Sequence, residues 1–141
     1  MRFDSSGRVK TKLLRYCATL AAASFLSSCG LVDSGVEWRG GPYELIWIDS
    51  PDNLQLCRRE DETGCIGEID AMVFAVGWDG HYAIAKQHPG GDMSRTNYYI
   101  MESQKKPRDD VVIGPLTVQE FENKSVKLGL PKFSKVIESL Q

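Results

Sequence analysis

Apolar and polar side chains alternate along two neighbouring segments of this chain, a pattern typical of strands with one buried face. In YELIWIDSP the alternation places Tyr43, Leu45 and Trp47 on one face, and the residues DSP at 49–51 end the strand. The same alternation is found in NLQLC, residues 53–57. We therefore expect two strands that pair with each other.

The segment MVFAVGWDGHYAIAKQH, residues 72–88, predicts a β-hairpin. Its DG dipeptide at 79–80 lies between two apolar runs and favours a two-residue turn, because both positions of that turn need positive φ. The resulting register places Gly77 opposite Tyr82, and large side chains face small ones along the pair. The hairpin is therefore expected to be central in its sheet, with the strand NYYIM, residues 97–101, beside it.

The period of the pattern changes from two to about 3.6 near the carboxyl end, which predicts helix. Thr117 and Glu120 are spaced as a capping box, and Gly129 followed by Pro131 ends the helix. Pro131 is also suited to begin a second short helix. The side chains expected on one face of that helix are Phe133, Val136, Ile137 and Leu140. Strands followed by helices indicate an α+β domain, a small antiparallel β-sheet with one or two carboxyl-terminal helices.

A different pattern precedes these elements. Five basic residues and one acidic residue within residues 1–15 are followed by the uncharged run YCATLAAASFL, residues 16–26. A basic head before a short apolar run has the shape of a secretory signal peptide. The run has 11 residues, whereas a membrane-spanning helix needs about 20. We therefore expect the segment to be cleaved.

The quartet Leu26-Ser27-Ser28-Cys29 resembles the lipobox of bacterial lipoproteins, in which a peptidase cuts directly before the cysteine. The resemblance implies that Cys29 carries a diacylglycerol, often with a further fatty acid such as palmitate on the new amino terminus. Two or three acyl chains hold a protein durably on a membrane. A hydrophobic segment that happens to end in Cys is the alternative. Gly30 follows in place of the Asp that retains such proteins in the inner membrane, which favours the outer membrane, facing the periplasm.

These patterns divide the chain into a signal peptide over 1–28, a lipidated cysteine with a flexible tether over 29–42, and a single α+β domain over 43–141. The tether is expected because glycines and charges interrupt any periodicity. Of 17 basic and 19 acidic residues, five and one lie in the signal peptide, which leaves 12 and 18. A mature chain with a net charge of −6 is not expected to bind nucleic acid.

Cys57 and Cys65 are the only cysteines left once Cys17 leaves with the signal peptide and Cys29 is lipidated. In an oxidising compartment two nearby thiols are expected to pair. The polar segment between them suits a loop closed by a disulfide. A metal site or two free thiols are the alternatives, although the spacing is not that of zinc sites.

His81 and His88 are the only histidines. On a continuous strand, residues seven apart point to opposite faces, so these two are not expected to share a metal or to act together as acid and base. The acidic loop at 59–64 lacks the alternating ligand spacing of calcium loops. The common catalytic and phosphate-binding motifs do not occur in the sequence. We therefore predict no catalytic residue, metal or cofactor.

Trp78 and Tyr82 are the candidate binding residues, because they lie at the end of the predicted hairpin where a partner could reach them. Packing in the core is the alternative for these rings. The hairpin, the TNYYI strand and the GPLTVQEFENK segment also loosely resemble small envelope lipoproteins without an assigned activity. We expect a binding module on a lipid tether, such as an accessory, inhibitor or immunity protein with an envelope protein as partner. The alternatives are a structural lipoprotein that contacts the cell wall or a membrane complex, and an envelope enzyme.

Overall fold

The computed structural model describes residues 33–141, which form nine strands and one α-helix. In chain order these are β1 (Ser34–Gly40), β2 (Tyr43–Ile48), β3 (Leu54–Arg59), β4 (Cys65–Ile69), β5 (Val73–Trp78), β6 (Tyr82–Gln87), β7 (Asn97–Glu102), β8 (Val111–Leu116), α1 (Val118–Leu128) and β9 (Lys135–Val136). The strands form two antiparallel sheets, in the orders β1-β2-β3-β4 and β8-β7-β6-β5-β9. The prediction of an α+β fold with antiparallel strands and a carboxyl-terminal helix is confirmed.

The first sheet contains the two strands predicted from the alternating segments. β2 and β3 are antiparallel neighbours, with Leu45 opposite Leu56. Both leucines and Tyr43 are fully buried. The face predicted to be apolar is therefore the inner face of the first sheet.

Residues 34–40 form strand β1, which corrects the prediction that residues 29–42 form a flexible tether. Ser34–Gly40 is antiparallel to β2 along the whole length of that strand. The glycines that interrupt the sequence pattern are required by packing, because a Cβ at Gly35 would lie 2.6 Å from the indole nitrogen of Trp47. Glycine at position 35 is thus required by the Trp47 side chain of the neighbouring strand, and the local sequence pattern does not predict this contact.

Strands β5 and β6 form the predicted hairpin, but in a different register. Gly77 lies opposite Ile84 rather than Tyr82, because the turn is centred one residue further along the chain. The Asp79 carboxylate closes this turn by accepting the backbone N–H of Tyr82 at 2.8 Å, and Gly80 supplies the positive φ of 105°. From Ala75 to Trp78 each partner moves by two residues, so these side chains keep their faces and Gly77 still lies opposite a large residue, whereas the register shifts again between Val73 and Ala75.

The hairpin occupies the central position that was predicted for it. β7 pairs with β6, with Ile100 opposite Ile84, and β9 pairs with the other side of β5. The pairing of β6 with β7 confirms the predicted strand at residues 97–101.

The second sheet has a hydrophobic cluster on each face. On one face Val76 and Met101 pack with Leu56 of the first sheet. On the other face Ile84 packs with Phe121 of α1. The second sheet is therefore the middle layer between the first sheet and the helix.

Helix α1 begins and ends where the sequence predicts. The Thr117 hydroxyl accepts the backbone N–H of Glu120 at 3.3 Å, and the Glu120 carboxylate accepts the backbone N–H of Thr117 at 2.8 Å. Gly129, with φ of 64°, ends the helix in the left-handed conformation. The capping box and the glycine stop signal are confirmed.

The prediction of a second helix that begins at Pro131 is wrong. The Ile137 N–H donates to the Phe74 carbonyl at 2.7 Å, and Lys135–Val136 forms β9 along the edge of β5. Only a single 3-10 turn, Glu138–Leu140, follows. A helix of one or two turns is marginal by itself, whereas the edge of β5 offers backbone groups that need partners.

The predicted signal peptide, residues 1–28, and the predicted lipidation site, Cys29, lie outside the described residues. Among residues 33–141 no helix has the length and the hydropathy needed to cross a membrane.

Candidate functional site

A buried polar cluster joins the two sheets. Arg58 of β3 is only 5% exposed and lies two residues after Leu56, so a charged side chain occupies an inward position of the strand. Its guanidinium forms an ion pair with Asp110. It also donates from Nη1 to the Ser103 hydroxyl at 3.1 Å and from Nη2 to the Gln104 carbonyl at 2.6 Å.

Asp110 is the centre of this cluster, and its side chain is 1% exposed. Besides the ion pair, it accepts the Tyr43 hydroxyl at 2.6 Å and the backbone N–H of Gln104 at 2.7 Å. Burial and the Asp110 carboxylate raise the pKa of Tyr43 well above its ordinary value. Burial disfavours the charged form of Arg58, but Asp110 and Tyr43 outweigh it and raise the pKa of the guanidinium. The tyrosine is therefore a neutral donor beside a permanent ion pair.

Glu68 of β4 lies within electrostatic reach of the same cluster and is partly buried. Burial, with the negative charge of Asp110 added to it, raises the pKa of Glu68 to about 7, against the opposing effect of Arg58. An ordinary glutamate is fully ionised at that pH. The charge of this side chain therefore changes near neutrality.

The arrangement of the cluster is that of a structural link. Arg58 and Tyr43 come from the first sheet, and Asp110 comes from the segment that joins β7 to β8 of the second sheet. Among the described residues, Arg58 Nε is a buried side-chain nitrogen without a hydrogen-bond partner. The sequence patterns do not predict this cluster, although the charged residue two positions after Leu56 on an apolar face is a signal for it.

The two histidines lie at opposite ends of β6 and are not brought together. His81 is in the turn with its side chain 56% exposed, and its Nε2 is 3.4 Å from a carboxylate oxygen of Glu102. His88 is 3% exposed, and its ring nitrogens each lie 2.7 Å from a carbonyl oxygen, one of Arg95 and one of Leu140. Main-chain contacts thus occupy both nitrogens of His88, which links the carboxyl-terminal turn to the second sheet.

Trp78 and Tyr82, the predicted binding residues, lie on opposite faces of the second sheet. Trp78 packs on the side of the first sheet, with its ring centroid 5.3 Å from that of Tyr43 in an edge-to-face arrangement. Tyr82 packs near Ile84 on the side of the helix. Both rings are partly buried. The structure therefore does not bring the two residues together on one contact surface.

Trp78 and Trp38 instead both lie against the glycines of the β1–β2 turn. A Cβ added at Gly40 would overlap the Trp38 ring and lie 2.8 Å from the Trp78 Cβ, and one added at Gly41 would lie 2.5 Å from the Trp78 indole nitrogen. Both tryptophans are partly exposed. We call Trp38, Gly40, Gly41 and Trp78 the tryptophan patch.

Cys57 and Cys65 form the predicted disulfide, with their Cα atoms 5.7 Å apart. In the acidic loop that it closes, Asp61 accepts the backbone N–H groups of Thr63 at 2.7 Å and Gly64 at 2.6 Å. These bonds lower the pKa of Asp61.

In the part of the chain that the structure describes, no group of three or more His, Cys, Asp or Glu side chains is placed to hold a metal ion.

The model of one protein family, described as "Protein of unknown function (DUF3997)", matches residues 40–138. This match covers well over half of the 141 residues. The chain belongs to the DUF3997 family. Searches among curated proteins and among solved structures find no match. The DUF3997 region contains all residues of the polar cluster and Trp78, whereas Trp38 and most of β1 precede it.

Proposed function

We propose that this DUF3997 protein is a lipid-anchored protein of the bacterial cell envelope whose folded domain acts by binding a partner protein. The basic and apolar pattern of residues 1–28 and the quartet that ends in Cys29 support the anchor. A disulfide between Cys57 and Cys65 is consistent with an oxidising compartment. Gly30 after the cysteine supports an outer-membrane location, with the domain in the periplasm.

The tryptophan patch is the single observation that carries the binding proposal. Its two partly exposed indoles lie against Gly40 and Gly41, and Trp78 is held by edge-to-face packing on Tyr43. A rigid, partly exposed tryptophan loses little conformational entropy on binding, and tryptophan is enriched among residues that dominate interface energies. The patch is therefore preorganised for an apolar contact with another protein.

Photo-crosslinking tests this proposal in the cell. The full-length chain should carry a benzoylphenylalanine at position 38, or at position 126 as a control, because Val126 is 88% exposed on α1. We expect a discrete protein adduct from position 38 and none from position 126. Equal adducts from both positions would mean nonspecific contact and would contradict the proposal.

A matched pair of variants separates binding from folding. Trp78→Leu should abolish the adduct from position 38, whereas Trp47→Leu should preserve it. Trp47 is also a partly buried indole packed on the same core, so both changes should lower stability to a similar extent in urea denaturation. Loss of the adduct in both variants would show that folding, and not the patch, controls the contact.

The lipid anchor has its own test. The Cys29→Ala precursor should remain uncleaved and should not incorporate radioactive palmitate, whereas Cys17→Ala should be cleaved and labelled normally. Palmitate labelling of the Cys29→Ala chain would refute the anchor.

An envelope enzyme is the second candidate, and Glu68 is the observation in its favour. Its pKa of about 7 lies in the range that suits a general acid or base near neutral pH. Glu68→Gln should leave the phenotype of the bacterium unchanged if the domain acts by binding. Loss of function in this variant, with folding and the adduct preserved, would assign the activity to turnover.

A further inference from the structure

The outer face of the first sheet carries an apolar patch next to the predicted anchor. Val36 lies directly opposite Ile46, and Ile48 follows two residues later on the same strand, so the three side chains share one face. That face is opposite to the one on which Tyr43 and Leu45 are buried. Val36 is 42% exposed and Ile48 is 38% exposed. We call Val36, Ile46 and Ile48 the outer apolar patch.

The chain length between Cys29 and β1 keeps this patch close to the lipid. Ser34, the first residue of β1, lies opposite Ile48. Five Cα-to-Cα steps separate Cys29 from Ser34, and fully extended chain spans at most about 18 Å over that number. Ser34 therefore lies within about 18 Å of the acylated residue, whatever the conformation of the connecting residues, and Ile48 of the outer apolar patch lies about 5 Å beyond Ser34 across the strand pair.

The charges around this end of the sheet select the kind of membrane surface. Asp33, Asp49 and Asp52 are the charged residues in the segments 33–36 and 46–53, and neither segment contains a lysine or an arginine. Acidic side chains are repelled by anionic head groups over a Debye length. The occupant that fits the patch is therefore a zwitterionic phospholipid surface that makes apolar contact with it.

We propose that the outer apolar patch rests on the zwitterionic surface of the membrane that holds Cys29. This inference rests on the proposed lipid at that cysteine. It also gives the anchor an orienting role, because Trp38 pairs with Leu45 after the irregularity in β1 and packs with Trp78 on the inner side of the first sheet, opposite to the outer apolar patch. Contact through the outer face thus leaves Trp38 and Trp78 on the side of the first sheet that faces away from the membrane.

Paramagnetic broadening of methyl signals tests the orientation. The mature chain, residues 29–141, has Cys29 as its only thiol outside the disulfide, so it can be coupled there to a maleimide lipid in phosphatidylcholine nanodiscs. A nitroxide lipid in the disc should broaden the methyl signals of Val36, Ile46 and Ile48 several-fold more than those of Val126. Uniform broadening, broadening centred on Val126, or none at all would overturn the proposal.

Further experiments identify the molecule that covers the outer apolar patch. Ile48→Ser should reduce the broadening at Val36 and Ile46, while Val126→Ser should not change it. Replacement of part of the lipid by phosphatidylglycerol at low salt should weaken the contact, and a stronger contact would overturn the charge argument. Shifts of the same methyl signals with protein concentration, in the absence of discs, would assign the patch to a second copy of the chain.

Because the lipid is coupled to Cys29 chemically, the broadening of the methyl signals does not depend on lipidation in the cell. If Cys29→Ala still incorporates palmitate in vivo but the coupled domain shows the expected broadening, the surface contact stands and the anchor assignment fails. If palmitate labelling depends on Cys29 but the broadening is absent, the anchor stands and the membrane contact fails.

Discussion

Removal of the Asp110 carboxylate should destabilise the domain more than any single change at its surface. Asp110→Ala leaves the Arg58 guanidinium in a position that is 5% exposed, without its counter-charge. It also removes the acceptor of the Tyr43 hydroxyl and of the Gln104 N–H. Loss of one partner of a buried ion pair costs about 3 to 5 kcal/mol.

Comparison with two other variants shows how much the hydrogen bond from Tyr43 and the ion pair with Arg58 each contribute to this free energy of unfolding. Tyr43→Phe removes one hydrogen bond to a charged acceptor and should cost about 1.5 to 3 kcal/mol. The double variant Arg58→Met with Asp110→Ala removes both charges, so no unpaired guanidinium remains. It should therefore be less destabilised than the sum of its two single changes, by about 2 kcal/mol or more for residues in direct contact.

Urea denaturation of residues 29–141, followed by circular dichroism with the disulfide intact, measures these free energies of unfolding. With a denaturant dependence of about 2 kcal/mol per molar, a loss of about 4 kcal/mol lowers the midpoint by about 2 M urea. Asp110→Asn, which keeps the size of the side chain and one acceptor, provides a milder variant if Asp110→Ala does not fold. A cost below about 1 kcal/mol for Asp110→Ala, or strict additivity in the double variant, would refute the assignment of the cluster as a structural link.

Three further predictions concern other groups of the domain. The pKa of Glu68 is raised to about 7. The free energy of unfolding of the native chain, relative to that of Glu68→Gln, should therefore be highest below the ordinary glutamate pKa and should decrease as pH rises through 7. Urea midpoints that follow the same pH course in both chains would contradict this. His88→Ala should be clearly less stable than His81→Ala, because His88 is buried between two carbonyl oxygens whereas the His81 side chain is 56% exposed; equal melting temperatures would contradict the role of His88. Replacement of Cys57 and Cys65 by serine should cost about 2 to 3 kcal/mol by the chain-entropy estimate for so short a loop, and an unchanged urea midpoint would show that the disulfide contributes nothing.

The polar cluster shows why the candidate site could be predicted only in part. The inward position of Arg58 follows from its spacing after Leu56 on one strand, so the sequence contained that signal. Its partner Asp110 lies 52 residues away, in a segment without a recognisable pattern. The approach of such residues depends on the packing of one sheet on the other, which no local spacing encodes.

The sequence by itself determined the elements whose signals lie within a few residues. The alternation in β2 and β3, and the capping box and stop glycine of α1, act through neighbouring side chains and backbone groups. The pairing of Cys57 with Cys65 belongs to the same class, because the two cysteines are only eight positions apart in the sequence. Such local preferences agree with the final fold, so they could be recognised one segment at a time.

Only the tertiary structure decided the elements that depend on distant partners. β1 is a strand because it pairs with β2 along its length, with the Trp47 ring beside Gly35, although glycine alone favours a flexible segment. Residues 135–136 pair with the open edge of β5 although their apolar spacing fits a helix. In both places a backbone or a ring from elsewhere in the chain supplies contacts that outweigh the weaker local preference, and sequence periodicity contains no information about that partner.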